Sequence, residues 1–209
     1  MAAAVALLAL ALAAAIGAPA ASHSAGITGQ TRNGCTCHNA TESTAVTPAI
    51  EGLPGEYEPG KVYRLRITVE GGAPLAVNAT AQGGFDLNVS AGTLKVPGGS
   101  AAVRVDPATG EATHTLDGRS ARNWTVDWRA PGEGEGTVTF TLLVNTVNGD
   151  GVQGPPDQWG RAVLTSEVAG AGTLLDVPLF WKVLGAALVV GVVVAAWAAI
   201  RGPRITRAR

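Results

Sequence analysis

The sequence predicts an all-β fold: an immunoglobulin-like antiparallel β-sandwich of seven to eight strands, with an N-terminal signal segment and one C-terminal transmembrane helix. Three observations predict it. From Ser22 to Val177 apolar residues alternate with polar ones, and no long stretch has a helical period. Gly/Pro turn signals such as Gly71-Gly72, Gly83-Gly84, Pro97-Gly98-Gly99, Asp117-Gly118 and Ala130-Pro131-Gly132 separate the alternating runs. Only the two chain ends are continuously apolar. About 155 residues between them suffice for one domain with its own core. A closed barrel is the alternative architecture.

Residues 1–21 read as a signal peptide. Ala2 to Ile16 are almost all Ala, Leu and Val, and Ala18-Pro19-Ala20 supplies small residues for cleavage between Ala18 and Ser22. A basic start is missing, and an uncleaved anchor is the other reading. Residues 22–50 form a Gly/Thr-rich segment containing Cys35-Thr36-Cys37-His38.

Residues 51–168 are the sandwich. Val62 to Val69 reads as a strand with Leu65, Ile67 and Val69 inward and Arg64, Arg66 and Thr68 outward. Leu75–Ala79, Phe85–Val89, Ala102–Val105 and Ala112–Leu116 are shorter strands. Trp124 to Trp128 places both tryptophans and Val126 on one face. Thr137 to Val147 turns Val138, Phe140, Leu142 and Val144 one way, and Arg161 to Glu167 closes the set. Residues 169–178 are a stalk.

Residues 179–200 are the membrane helix and 201–209 a cytoplasmic tail. Val183 to Ile200 holds no charge and no proline. Eighteen residues at about 1.5 Å each span about 27 Å, enough for a bilayer core. Phe180, Trp181 and Lys182 suit one headgroup layer, and Arg201, Arg204, Arg207 and Arg209 keep the tail inside. The expected location is the cell membrane, with the domain outside. Of 15 basic residues, five flank this helix, leaving ten against 16 acidic ones. An acidic exterior without a basic patch argues against nucleic acid as a partner.

Three segments carry a family resemblance. They are Gly26-Ile27-Thr28-Gly29 with Asn33 to His38; Glu111 to Thr115 with Trp124 to Pro131; and Thr137 to Phe140 through Asn145 to Gly151. Together they resemble the Reeler-like "choice-of-anchor V" exported surface proteins over most of residues 26 to 167. That resemblance implies a β-sandwich exported to the surface and followed by an anchor. Relatives often read C-x-x-C-H where this chain reads C-x-C-H.

Cys35 and Cys37 are the sole cysteines, and His38 is one of three histidines. Exported thiols usually oxidise, and here each has only the other as internal partner, in a small, strained ring. A second reading is c-type haem, with His38 as one axial ligand and His114 as the other. A third is a bare copper or zinc ion on Cys35, Cys37, His38 and His114. Both ligand readings require His38 and His114 on one side of the sandwich. Without a ligand, the polar stretch from Gly26 to Thr44 is expected to be mobile.

Asn148, Asp150 and Asp157 crowd a Gly-rich loop that could hold calcium, though the spacing is not that of an EF-hand. Asn39, Asn78, Asn88 and Asn123 stand in N-x-S/T sequons, candidate glycosylation sites. No catalytic set is visible, and Asp and Glu on strands read as solvated faces. The expected function is a membrane-anchored surface interaction or structural module whose partner is a surface protein or glycan. The alternative is an extracytoplasmic redox protein carrying haem c or copper on Cys35–His38.

Overall fold

The computed structural model describes residues 23–75, 79–152, 154–170 and 179–200. The expected signal segment, most of the stalk, the arginine tail and Asn78 lie outside the described residues. The chain divides into two compact units, Met1–Ala169 and Gly170–Arg209.

The first unit is all-β. Its strands are β1 (Val46–Glu51), β2 (Glu56–Tyr57), β3 (Val62–Gly71), β4 (Gly83–Val89), β5 (Thr93–Lys95), β6 (Val103–Val105), β7 (Ala112–His114), β8 (Asn123–Arg129), β9 (Val138–Thr146) and β10 (Gln158–Val168). They form a four-stranded sheet, β1-β3-β8-β5, and a six-stranded sheet, β2-β10-β9-β4-β7-β6. Only β2 runs parallel to its neighbour, β10. Two separate sheets make a sandwich rather than a closed barrel.

Ten strands exceed the expected seven to eight. β1 begins at Val46, ahead of the expected start of the sandwich. Its alternation is complete, with Val46, Pro48 and Ile50 buried, but Pro48 masks it in sequence. A proline is tolerated there because β1 is an edge strand. β2 and β5 are only two and three residues long, too short to show a period. Where a strand was expected from Leu75 to Ala79, those two residues lie in loop.

The core lies where the two inward faces meet. Leu65 and Ile67 on β3, Trp124, Val126 and Trp128 on β8, and Val138, Phe140, Leu142 and Val144 on β9 are all buried, as the alternation predicts. Trp128 meets Phe140 edge-on at 4.8 Å and Tyr57 at 5.5 Å, and stacks on Tyr63 at 5.6 Å. Burying each such side chain contributes about 1.5–3 kcal/mol.

The outer face of the six-stranded sheet is covered as well. Leu143, which alternates away from the core, is fully buried. Asp86 and Thr113, which share its outward row across β4 and β7, are also buried. The cover is the chain's own N-terminal segment.

The second unit contains α1, Leu179–Ile200, a helix of 22 residues. Its described side chains include Trp181, Leu188, Val189, Val190, Val192, Val193, Val194 and Trp197, all apolar and exposed. Along α1 only positions 181, 187–190 and 192–197 have described side chains. Among the described residues no helix is long and apolar enough to cross a membrane.

Candidate functional site

The site is built by laying residues 23–44 across outward-facing side chains of the sheet. The segment is pinned rather than free, and the expectation that it needs a ligand to hold it down is corrected. Arg104 on β6 donates to the carbonyls of Ala25 and Gly26 at 3.3 and 3.1 Å. Asp86 on β4 accepts the Gln30 N–H at 2.8 Å. Glu111 accepts the Gly29 N–H, the Thr31 hydroxyl at 3.1 Å and the Asn88 amide at 3.0 Å. Further on, Trp159 Nε1 donates to the Asn39 carbonyl at 2.9 Å, and Ser43 N–H donates to the Trp159 carbonyl at 2.8 Å.

Asp86 and Glu111 thus belong to a buried polar seam instead of a solvated face. Gly34 lets the segment reach the sheet. It has φ +89°, and any Cβ would enter the Trp159 ring.

Between this segment and one end of the sheet lies a cavity of about 100 Å³. Its walls include Cys35, Cys37, His38, Asp86, His114 and Asn145, with His23 and Arg119 also lining it. The chain has two cysteines and three histidines in all, so every cysteine and every histidine lines this one space. His38 and His114 share it although 76 residues separate them in sequence. Among the described residues, however, no three His, Cys, Asp or Glu groups converge closely enough to hold a metal ion.

Two of the histidines that line the cavity are held differently. His38 Nδ1 stands 2.8 Å from Asp157 Oδ2. A carboxylate there orients the ring and holds a proton on Nδ1. Asp157 is only 2% exposed and also accepts the Asn148 N–H at 3.1 Å, so its position is set from two sides. His114 instead accepts the Phe85 N–H at Nδ1, at 3.3 Å. Its one lone pair is spent, and its proton sits on Nε2. Its ring lies against Gly84, where a Cβ would collide with it, and near Phe85 and Trp124 at 6.4 Å each. Burial lowers the His114 pKa to about 4, so it is neutral.

Both thiols are free; Cys35 is half-buried and Cys37 exposed. Burial, then the nearby charges of Asp86 and Cys37, pushes the Cys35 thiol up to about 12. Burial raises the Asp86 carboxyl to about 7 against the pull of the Gln30 hydrogen bond. Two lining residues, Asp86 and Asn145, each have a buried Oδ1 that makes no hydrogen bond among the described residues.

In the loop suggested for calcium, Asp150 accepts the Asn148 amide and the Val152 N–H, both at 2.8 Å, and Asp157 accepts the Asn148 N–H at 3.1 Å while facing His38. Among the sequons, Asn123 is exposed. Asn39 Oδ1 accepts from the Thr41 N–H at 3.3 Å. The Asn88 amide nitrogen donates to Glu111 at 3.0 Å. Sequence reasoning missed Asp86 and Glu111 as site residues, and read Asn145 and Asp157 only as members of the Gly-rich loop. Each sits at an outward strand or loop position, and only the covering segment makes it part of a site.

No protein-family model and no curated protein matches the chain. Solved structures similar to it include the Reelin-N domain of F-spondin, 21% identical, TM-score 0.42, covering 61% of this chain and 88% of that one. The human F-spondin reeler domain is 20% identical, TM-score 0.42, with 61% and 90% covered. A conjugative transposon lipoprotein from Bacteroides eggerthii DSM 20697 is 10% identical, TM-score 0.35, with 59% and 98% covered. The choice-of-anchor V resemblance rests on the sequence motifs alone.

Proposed function

We propose that this chain is an exported, membrane-anchored β-sandwich that acts as a surface interaction module, with the cavity under the C-x-C-H segment as its recognition site. The observation that supports it is the gathering of both thiols and all three imidazoles on that one cavity. The anchor rests on the uncharged run from Val183 to Ile200 and the four arginines after it. The partner is a surface protein or glycan met outside the cell.

Protease added to intact cells tests location and orientation together. It should remove the sandwich and leave a protected membrane fragment of about 30 residues, the length from the stalk to Arg209 that the bilayer rule sets aside. Protection of the Trp124 region would reverse the orientation.

The same gathering favours a second reading, an extracytoplasmic redox protein with haem c or copper on Cys35–His38. Engineered cavities of about 150 Å³ hold benzene. A space of about 100 Å³ therefore takes a small ligand or ion, and a porphyrin would have to sit at its mouth. Within this reading the size of the space argues against an enclosed haem. An absorption spectrum of the native protein separates them: a Soret band that survives denaturation means covalent haem.

A further inference from the structure

Asp86 is a buried carboxylate that no cation of the described residues pairs with. It is 1% exposed; its Oδ2 takes the Gln30 N–H while Oδ1 makes no hydrogen bond among those residues. Their ion pairs do not include it. Arg104 on β6 spends its guanidinium on Asp106 and on the carbonyls of Ala25 and Gly26. Buried charges are ordinarily paired, and a ligand that enters this cavity meets one that is not. Asn145 offers a second acceptor. It stands diagonal to Asp86 on one sheet face, since Gly84 pairs with Asn145 and Asp86 with Leu143, and diagonal neighbours lie within side-chain reach. Its buried Oδ1 also makes no hydrogen bond among the described residues. Ile27, Phe85 and Val147 give the lining an apolar stretch. His23 and Cys37, both lining and both exposed, bring the space to the surface.

We propose that this cavity is a primary-ammonium site, in which Asp86 and Asn145 accept from the –NH3⁺ of an unbranched, lysine-like chain and Ile27, Phe85 and Val147 cover its methylenes. A metal ion needs several ligands converging at bond length, which the described residues do not supply. An ammonium needs only hydrogen-bond acceptors, each served by its own N–H at about 2.7–2.9 Å. Size narrows the class further. About 100 Å³ is less than the roughly 150 Å³ that holds benzene, so a slim alkyl chain enters and an amino-sugar ring does not. The inference rests on this cavity being the recognition site. It narrows what is recognised to a lysine on a partner protein or a free amine of the same shape.

Calorimetry on the reduced full chain in detergent tests it, with n-butylammonium, its neutral counterpart n-butanol, and Nα-acetyl-lysine methylamide as probes. At about pH 7.5 the amines are protonated. One n-butylammonium should bind per chain, at least about 10-fold tighter than n-butanol. Asp86→Asn should weaken it by about 10–100-fold and Asn145→Ala by about 2–10-fold, with n-butanol unchanged in Asp86→Asn. The melting temperature of Asp86→Asn without ligand should be unchanged or raised, since a buried carboxylate is removed, so its loss of binding is not a loss of fold. Equal binding of the lysine derivative would point to a protein partner, and binding of n-butylammonium alone to a free amine; both carry the inference. Equal affinity for n-butanol and n-butylammonium would overturn it yet leave the cavity as a recognition site. An unchanged affinity in Asp86→Asn would overturn it as well. Binding of neither probe would overturn the inference and the recognition reading together.

Discussion

Asp86 and His114 titrate against each other. The Asp86 pKa rises from 3.8 to about 7 because burial disfavours its charge. Between those values the folded chain holds a proton that the unfolded chain has lost, so this group's contribution to stability falls as pH rises. His114 falls from 6.5 to about 4, also through burial. In its window the unfolded chain holds the extra proton, so its contribution rises with pH. Each slope is at most about 1.4 kcal/mol per pH unit, and where the two windows overlap they oppose one another. Asp86→Asn removes one of them. Its denaturant midpoint should rise more steeply with pH between about 5 and 6.5 than the parent's does. A level profile in the variant would show that His114 is not held neutral by burial. The thiols and His38 were legible in sequence because their residue types are rare and adjacent. Asp86 was not. In Phe85-Asp-Leu-Asn-Val89 it falls at an outward strand position, which ordinarily meets water. What buries it is Gln30 and its neighbours, 56 residues earlier.

At the scale of elements, β8 and β9 were readable because their alternation is long and their inward residues large. Trp128 and Phe140 are fully buried against each other. Truncating either to Ala should cost about 3–5 kcal/mol in chemical unfolding, as lost burial plus a cavity. A loss below about 1 kcal/mol would contradict the packing described. β1 was hidden by Pro48, and β5 by its three-residue length. The covering segment was hidden for another reason: nothing in it is apolar enough to predict docking. Its attachment is polar, and Glu111 is the main clasp, taking Gly29, Thr31 and Asn88 at once. Glu111→Ala leaves those donors without an acceptor and should free the segment from its N-terminal side. Trypsin should then cut after Arg32 faster than in the parent, ahead of any cut within the sandwich. Equal rates would mean that Arg104, Asp86 and Trp159 suffice to hold it.

At the scale of the whole molecule, the hydrophobic core belongs to one of the two units. Every member of the hydrophobic core cluster lies between Ile50 and Val168, inside the first unit, Met1–Ala169. The described side chains of α1 are apolar and exposed. Under the proposed anchoring, fold and address are carried by separate stretches of chain. On that reading a chain ended after Gly170 should lose its membrane attachment and keep its stability. Fractionation should find it outside the membrane pellet, and its melting temperature should match the full chain's in detergent. A domain of this size shifts by about 2–4 °C for each kcal/mol lost, so even a modest contribution from the helix would register. A drop of that size would show that the helix supports the sandwich as well as tethering it. Continued pelleting of the shortened chain would place the membrane attachment elsewhere, with the apolar N-terminal segment as the remaining stretch able to supply it.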